Sequence, residues 1–181
     1  YQIAADRNDS DAQCRLGEIY ESQGKIEEAF ELYKKSAEQL NPLGQYNLAL
    51  LYENGFCNHR REPRLALKYG KLSANQEHPT GLWYYGYLIE TGYGEDQDYE
   101  VAAKYYKMSA NLNNSFGLWH YGSMLQIGRG VPQDLVEAAR CFKLSADQGN
   151  EFGQCFYGVM LENGLGGVSR NLNEAENYYR L

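Results

Sequence analysis

The sequence holds only 4 prolines in 181 residues, and its 4 cysteines form no pair at metal-ligand or redox spacing. Cys14, Cys57, Cys141 and Cys155 make no C-x-x-C; an even count allows disulfides, yet the intervals suggest no framework. Histidine is scarce. His59, His78 and His120 lie far apart, without the i, i+4 pair of a zinc-binding helix. No metal is therefore expected. No run approaches the roughly 20 apolar residues of a membrane-spanning helix; the most apolar stretch, Leu82 to Ile89, is short and rich in tyrosine. Direct membrane insertion by this chain is not expected. Positive charge is also in short supply, with 17 Lys and Arg against 24 Asp and Glu, a net charge of −7. Nucleic acid and anionic membranes require a basic face, so neither fits as the main partner.

Catalytic patterns are missing too. Ser22-x-x-Lys25 matches a β-lactam-binding motif by letters, but no Ser-Asp-Asn or Lys-Thr-Gly accompanies it. The Gly-rich segments lack the preceding strand and following Lys-Ser/Thr of a phosphate loop. The expectation is a protein that is not an enzyme and carries no catalytic residue and no cofactor. Two N-x-S sequons, at Asn8 and Asn113, are near chance in an Asn-rich chain. The compartment stays open, with the cytoplasm ahead of the endoplasmic-reticulum lumen or secretory space. Because the sequence opens at Tyr1 and stops within a helical pattern at Leu181, it is expected to be a segment of a longer protein.

What the sequence has in excess is tyrosine, 17, and glycine, 19, and both recur at a fixed period. A small residue opens each unit: Ala12, Gly44, Gly81, Gly117 and Gly153. A second small residue follows five positions later (Gly17, Ala49, Gly86, Gly122, Gly158), and a large apolar one three beyond that (Tyr20, Tyr52, Ile89, Leu125, Leu161). These offsets lie on neighbouring faces of one helix. The small pair lets a second helix come close, and the large residue fills the space between. The second half of each unit carries an i, i+4, i+8 stripe: Ala29, Ala66, Ala102, Ala138 and Ala175, then Tyr33, Gly70, Tyr106, Phe142 and Tyr179, then Ala37, Ala74, Ala110 and Ala146. That is a second amphipathic helix. Gly17, Gly86, Gly122 and Gly158, with Ala29, Ala66, Ala102 and Ala138, are the expected structural positions.

Gly92-Tyr-Gly94, Gly128-Arg-Gly130 and Gly164-Leu-Gly166 separate the two helices, where glycine permits the positive φ that ends a helix. Asp134 with Glu137 and Asn171 with Glu174 have capping-box spacing, Asp98 can cap the third unit, and Pro63 suits a first turn. The units are expected at 11–42, 43–79, 80–115, 116–151 and 152–181, the last incomplete. Residues 1–9 would end a preceding unit, and the whole would form a single domain.

The run Gly128-Arg-Gly130-Val131-Pro-Gln-Asp134-Leu-Val-Glu-Ala138-Ala139-Arg-Cys-Phe142-Lys-Leu-Ser-Ala146-Asp-Gln-Gly149-Asn150 resembles the Sel1-like repeat, a longer relative of the tetratricopeptide repeat. Gly92 to Asn114 and Gly164 to Leu181 carry the same pattern less completely, and the first unit is closer to a plain tetratricopeptide repeat. The resemblance implies an all-α fold, a right-handed α-α superhelix (solenoid) of about five tandem antiparallel helix pairs, with first helices lining a concave groove. It also implies an adaptor or scaffold whose partner is another protein, held as a peptide or helical segment. The family's cysteine-rich branch has a Cys pair in each repeat; this chain has Ala or Ser there. A structural spacer or self-association module, hence a homo-oligomer, is the alternative. Fold analogy names no partner.

Two residues after each opening small residue stand Cys14, Tyr46, Trp83, Trp119 and Cys155, expected to face the groove; one turn on are Glu18, Leu50, Tyr87, Ser123 and Val159. Tyr46, Leu50, Trp83, Tyr87 and Trp119 are thus the partner-binding candidates, since aromatics dominate binding hot spots. Packing of both Trp between first helices is the competing account. Farther along, Glu21, Glu53, Glu90, Gln126 and Glu162 form a row in which Glu53 and Glu90 join the candidates. It would either meet basic groups of a partner or serve as a solvated face. A carboxylate-clamp groove needs several Lys, Arg and Asn, and only Arg15 and Asn47 match, so chaperone tails are disfavoured.

Overall fold

The computed structural model describes residues 1–56 and 60–180; the expectations placed on Cys57, His59 and Leu181 lie outside these residues. Among the described residues the elements are eleven α-helices and no strand: α1 (Gln2–Asp6), α2 (Ser10–Ser22), α3 (Ile26–Glu38), α4 (Pro42–Asn54), α5 (Pro63–Asn75), α6 (Pro79–Thr91), α7 (Tyr99–Asn111), α8 (Ser115–Ile127), α9 (Leu135–Ala146), α10 (Glu151–Asn163) and α11 (Leu172–Arg180). The chain divides into two compact units, Tyr1–Gln97 and Asp98–Leu181. In the first, α2 packs on α3, α4 on α5, and α6 against α5 and α4. In the second, α8 packs on α7 and α9, and α10 on α9 and α11. Within each unit, helices pack on their successors, as a helix-pair repeat requires.

The two small residues of each unit serve different neighbours. A Cβ on Gly17 would sit 2.6 Å from the Tyr33 ring, one on Gly122 2.9 Å from Phe142, and one on Gly158 2.5 Å from Tyr179. These glycines admit the aromatic ring of their own unit's second helix. The opening glycine instead meets the preceding unit's second helix. A Cβ on Gly153 would fall 2.5 Å from Ser145 Oγ and 2.7 Å from the Ala146 nitrogen, and Gly44, Gly81 and Gly117 meet Ser36, Ser73 and Ser109 likewise. Each of these serines is fully buried. Ser36, Ser73 and Ser145 donate their hydroxyls to the carbonyls of Ser10, Pro42 and Ser115, at the start of their own unit's first helix. One buried hydroxyl therefore ties a unit together while its bare partner glycine seats the next. Around these junctions Tyr33, Tyr106 and Phe142 are 0% exposed, as are Ala29, Ala66, Ala102 and Ala138. Burying each large side chain contributes roughly 1.5–3 kcal/mol.

Caps set the helix starts. Asp98 accepts from the Glu100 and Val101 amides, Asp134 from Glu137, and Asn171 from Glu174, while Pro63 opens α5. The Asp134 box is half formed, because the Glu137 carboxylate turns to Arg140. First helices are capped as well, by Asp9, Asn41, Asn114 and Asn150. At the matching position of α6 stands His78, whose side chain caps nothing and whose Nδ1 is buried without a hydrogen bond.

Candidate protein-interaction face

In the first unit, α4 and α6 lie side by side and present Tyr46, Leu50, Trp83 and Tyr87, all half-buried, over a core of Ala49, Tyr84 and Leu88. On each helix the two candidates are four residues apart, so they share one face. The ring centroids of Tyr46 and Trp83, and of Trp83 and Tyr87, are 6.4 Å apart. Tyr84, a residue the sequence reading passed over, joins them: its ring meets Tyr46 edge-on at 5.3 Å. The expected surface aromatics of this unit are thus gathered in one cluster.

Glu53 organises the polar side of that cluster. Its carboxylate accepts a 2.9 Å hydrogen bond from the Tyr84 hydroxyl, and its backbone carbonyl accepts one from Tyr93. Burial, with the Glu53 charge next in weight, pushes the Tyr46 phenol up to about 12 and raises Tyr84 and Tyr87 as well. Burial and then Glu53 also raise Tyr93, and Arg61 draws it back. These phenols keep their protons and remain donors at neutral pH. Glu90, at the same slot of α6, is half-buried, and its carbonyl accepts from the Gln97 side chain. The row of carboxylates is therefore not simply a solvated edge: Glu21 and Glu162 also accept from tyrosine hydroxyls, of Tyr33 and Tyr179.

The second unit uses the same slots differently. Trp119 on α8 stacks on Phe152 of α10, with centroids 4.3 Å apart and planes 16° from parallel. His120 stacks on Tyr106 at 4.6 Å, and Phe156 on Phe142 at 5.2 Å. Trp119 Nε1 and Ser123 Oγ, one turn apart, are buried without a hydrogen-bond partner. Trp119 thus packs against the next first helix while remaining partly exposed. Phe152 and Phe156 were not singled out from sequence; the signal was the recurrence of Phe116 and Phe152 one residue before the opening glycine.

One slot departs from expectation. Cys14, placed on the groove by register, is only 1% exposed: the Asn47 amide of the neighbouring first helix reaches its Sγ at 3.5 Å and closes over it. Cys155 is exposed, whereas Cys141 is buried, and Cys14, Cys141 and Cys155 are all free thiols. Burial pushes the thiols of Cys14 and Cys141 up to about 12, which removes nucleophilic thiolate there. Among the described residues, no three His, Cys, Asp or Glu are grouped to hold a metal, and no helix is long and apolar enough to cross a membrane.

The comparisons agree with this geometry. The Sel1 repeat model matches residues 10–39, 42–78, 79–114, 115–150 and 152–181. The chain is similar to the crystal structure of a Sel1 repeat protein from Oxalobacter formigenes, with 25% identity over 96% of this chain and 70% of that one, and a TM-score of 0.81. It is similar as well to a protective antigen of uropathogenic Escherichia coli that displays the Sel1-like fold (26% identity, TM-score 0.80), covering 99% of this chain but 39% of that one. Helicobacter pylori cysteine rich protein B matches in fold alone, at 22% identity over 71% of this chain and 92% of its own, with a TM-score of 0.56. No curated protein matches. With five repeat matches spanning nearly all of its length, the chain belongs to the Sel1 repeat family, an all-α helix-pair solenoid fold.

Proposed function

We propose that this protein is an interaction scaffold whose α4–α6 face takes a peptide or helical segment of a partner protein. Sel1 repeats generally serve as protein–protein interaction scaffolds rather than enzymes, and that sets the class. The observation that carries the reading for this chain is the gathering of Tyr46, Leu50, Trp83 and Tyr87 on one half-exposed face beside Glu53 and Glu90. Rigid aromatic side chains bury large areas at small entropic cost, which makes such clusters strong anchors. In the second unit Trp119 with Phe152 adds an aromatic surface of its own. The partner is part of a larger complex in this reading.

Affinity capture with the 181-residue chain as bait tests it. Trp83→Ala with Trp119→Ala is expected to abolish capture while the helical circular-dichroism signal persists. Capture that survives both substitutions overturns the groove assignment. A concentration-dependent dimer in light scattering, insensitive to the same substitutions, supports a self-association module instead.

A further inference from the structure

Charge is distributed unevenly between the two kinds of helix. The second helices carry lysine or arginine on every copy, from Lys34 and Lys35 on α3 to Arg180 on α11. The first helices carry a single such residue, Arg15 on α2, and its guanidinium is tied to Glu18 at 3.0 Å. Helices α4 and α6 have none, and the charges they bring are Glu53 and Glu90. The aromatic cluster of the first unit therefore sits beside two carboxylates, and its Tyr46, Tyr84 and Tyr87 phenols are raised by burial first and by the Glu53 charge next. Aromatic faces attract a cation through their quadrupole, most strongly in Trp and Tyr, and a neighbouring carboxylate adds direct Coulomb attraction. Arginine suits such a place best. Its guanidinium is planar, stacks on rings, sheds water more easily than an ammonium, and can donate to a carboxylate while stacked.

We infer that the α4–α6 face recognises an arginine side chain of the partner segment, laid against Tyr46, Trp83 and Tyr87 with its guanidinium directed at Glu53. This rests on the interaction-scaffold reading and names the chemistry of its partner. The Glu53 carboxylate already holds the Tyr84 hydroxyl, so it is positioned rather than free to swing, and a guanidinium adds to an ordered acceptor. No repositioning of the scaffold is required.

The probe is a short glycine–arginine peptide with three arginines, titrated against the whole chain, beside the same peptide with citrulline in place of arginine. Citrulline keeps the shape and loses the charge. Trp119→Phe leaves Trp83 as the sole indole, so its fluorescence reports on the first unit. The expected result is a saturable change with the arginine peptide and an affinity at least tenfold lower for the citrulline peptide. Glu53→Gln, which retains a carbonyl to accept from Tyr84, is expected to lower arginine-peptide affinity at least fivefold with its unfolding curve unchanged. Binding of the two peptides within twofold of each other overturns the inference, as does no binding of either at millimolar concentration. So does a self-association that displaces the peptide. A partner captured through Trp83 whose binding ignores Glu53→Gln and arginine replacement sinks this inference but leaves the scaffold reading standing. Arginine-peptide binding without any Trp83-dependent partner does the reverse.

Discussion

The α4–α6 face of the first unit and the α8–α10 face of the second occupy equivalent slots of one repeat and do opposite things with them. In the first, tyrosines surround a carboxylate, and the hydroxyls of Tyr84 and Tyr93 both donate to Glu53. In the second, Trp119 and Phe152 stack flat and His120 lies on Tyr106. The Ser–Gly junctions beneath the two faces are the same. The repeat thus separates two tasks: its small residues fix the backbone register, and slots two, three, six and nine residues beyond the opening glycine are free to vary.

If that separation holds, junction positions must behave alike in both units and face positions must not. The largest effect is expected from Gly44→Ala and Gly153→Ala, each losing about 3 kcal/mol in urea unfolding, because the new methyl would lie 2.7 Å from the Cβ of buried Ser36 and 2.6 Å from that of buried Ser145. Unequal losses would break the comparison. Next, Tyr84→Phe removes the donor to Glu53 and should cost about 1.5 kcal/mol, whereas His120→Phe at the same slot keeps its stack on Tyr106 and should cost under about 0.5 kcal/mol. Comparable costs would show that the tyrosine–carboxylate network is not special to the first unit.

A smaller effect concerns the caps. His78→Asn should gain about 1 kcal/mol by giving α6 the cap that Asn41, Asn114 and Asn150 give theirs. Burial holds the His78 imidazole below the ordinary histidine value, so the unfolded chain takes up its proton first. That contribution is whole above about pH 6.5 and falls as pH drops from there toward the folded value. His78→Asn should flatten the stability–pH curve in that window and leave it unchanged above. Smallest of all, Leu40 holds φ +63° where the fourth repeat has Gly149 at +78°. Leu40→Gly should gain about 0.5 kcal/mol and Gly149→Leu lose about 1 kcal/mol; no difference between them would remove strain from the account.

The helix pairs and their contact positions were legible in the sequence because a fixed period overdetermines them: the same small residue recurs wherever two helices touch. Which neighbour each glycine faces was not legible, since that depends on the stagger between helices and not on spacing along one. The same stagger hid the Tyr84–Glu53 bond, whose partners are 31 residues apart. Register alone put Cys14 on the surface with Tyr46 and Trp83. Asn47 of the neighbouring first helix closes over it, whereas Cys155 in the same slot of α10 is exposed, so the neighbour and not the slot decides. The caps of the first helices were available in the recurring Asn41, Asn114 and Asn150, three residues before each opening glycine.

Hydrogen exchange of the chain with and without its captured partner is the most direct test that the first-helix face is the working surface. Binding is predicted to slow exchange in α4 and α6 and to leave the outer-facing turns of α3 and α5 unchanged. Protection confined to α3, α5 or the connecting segments would contradict it.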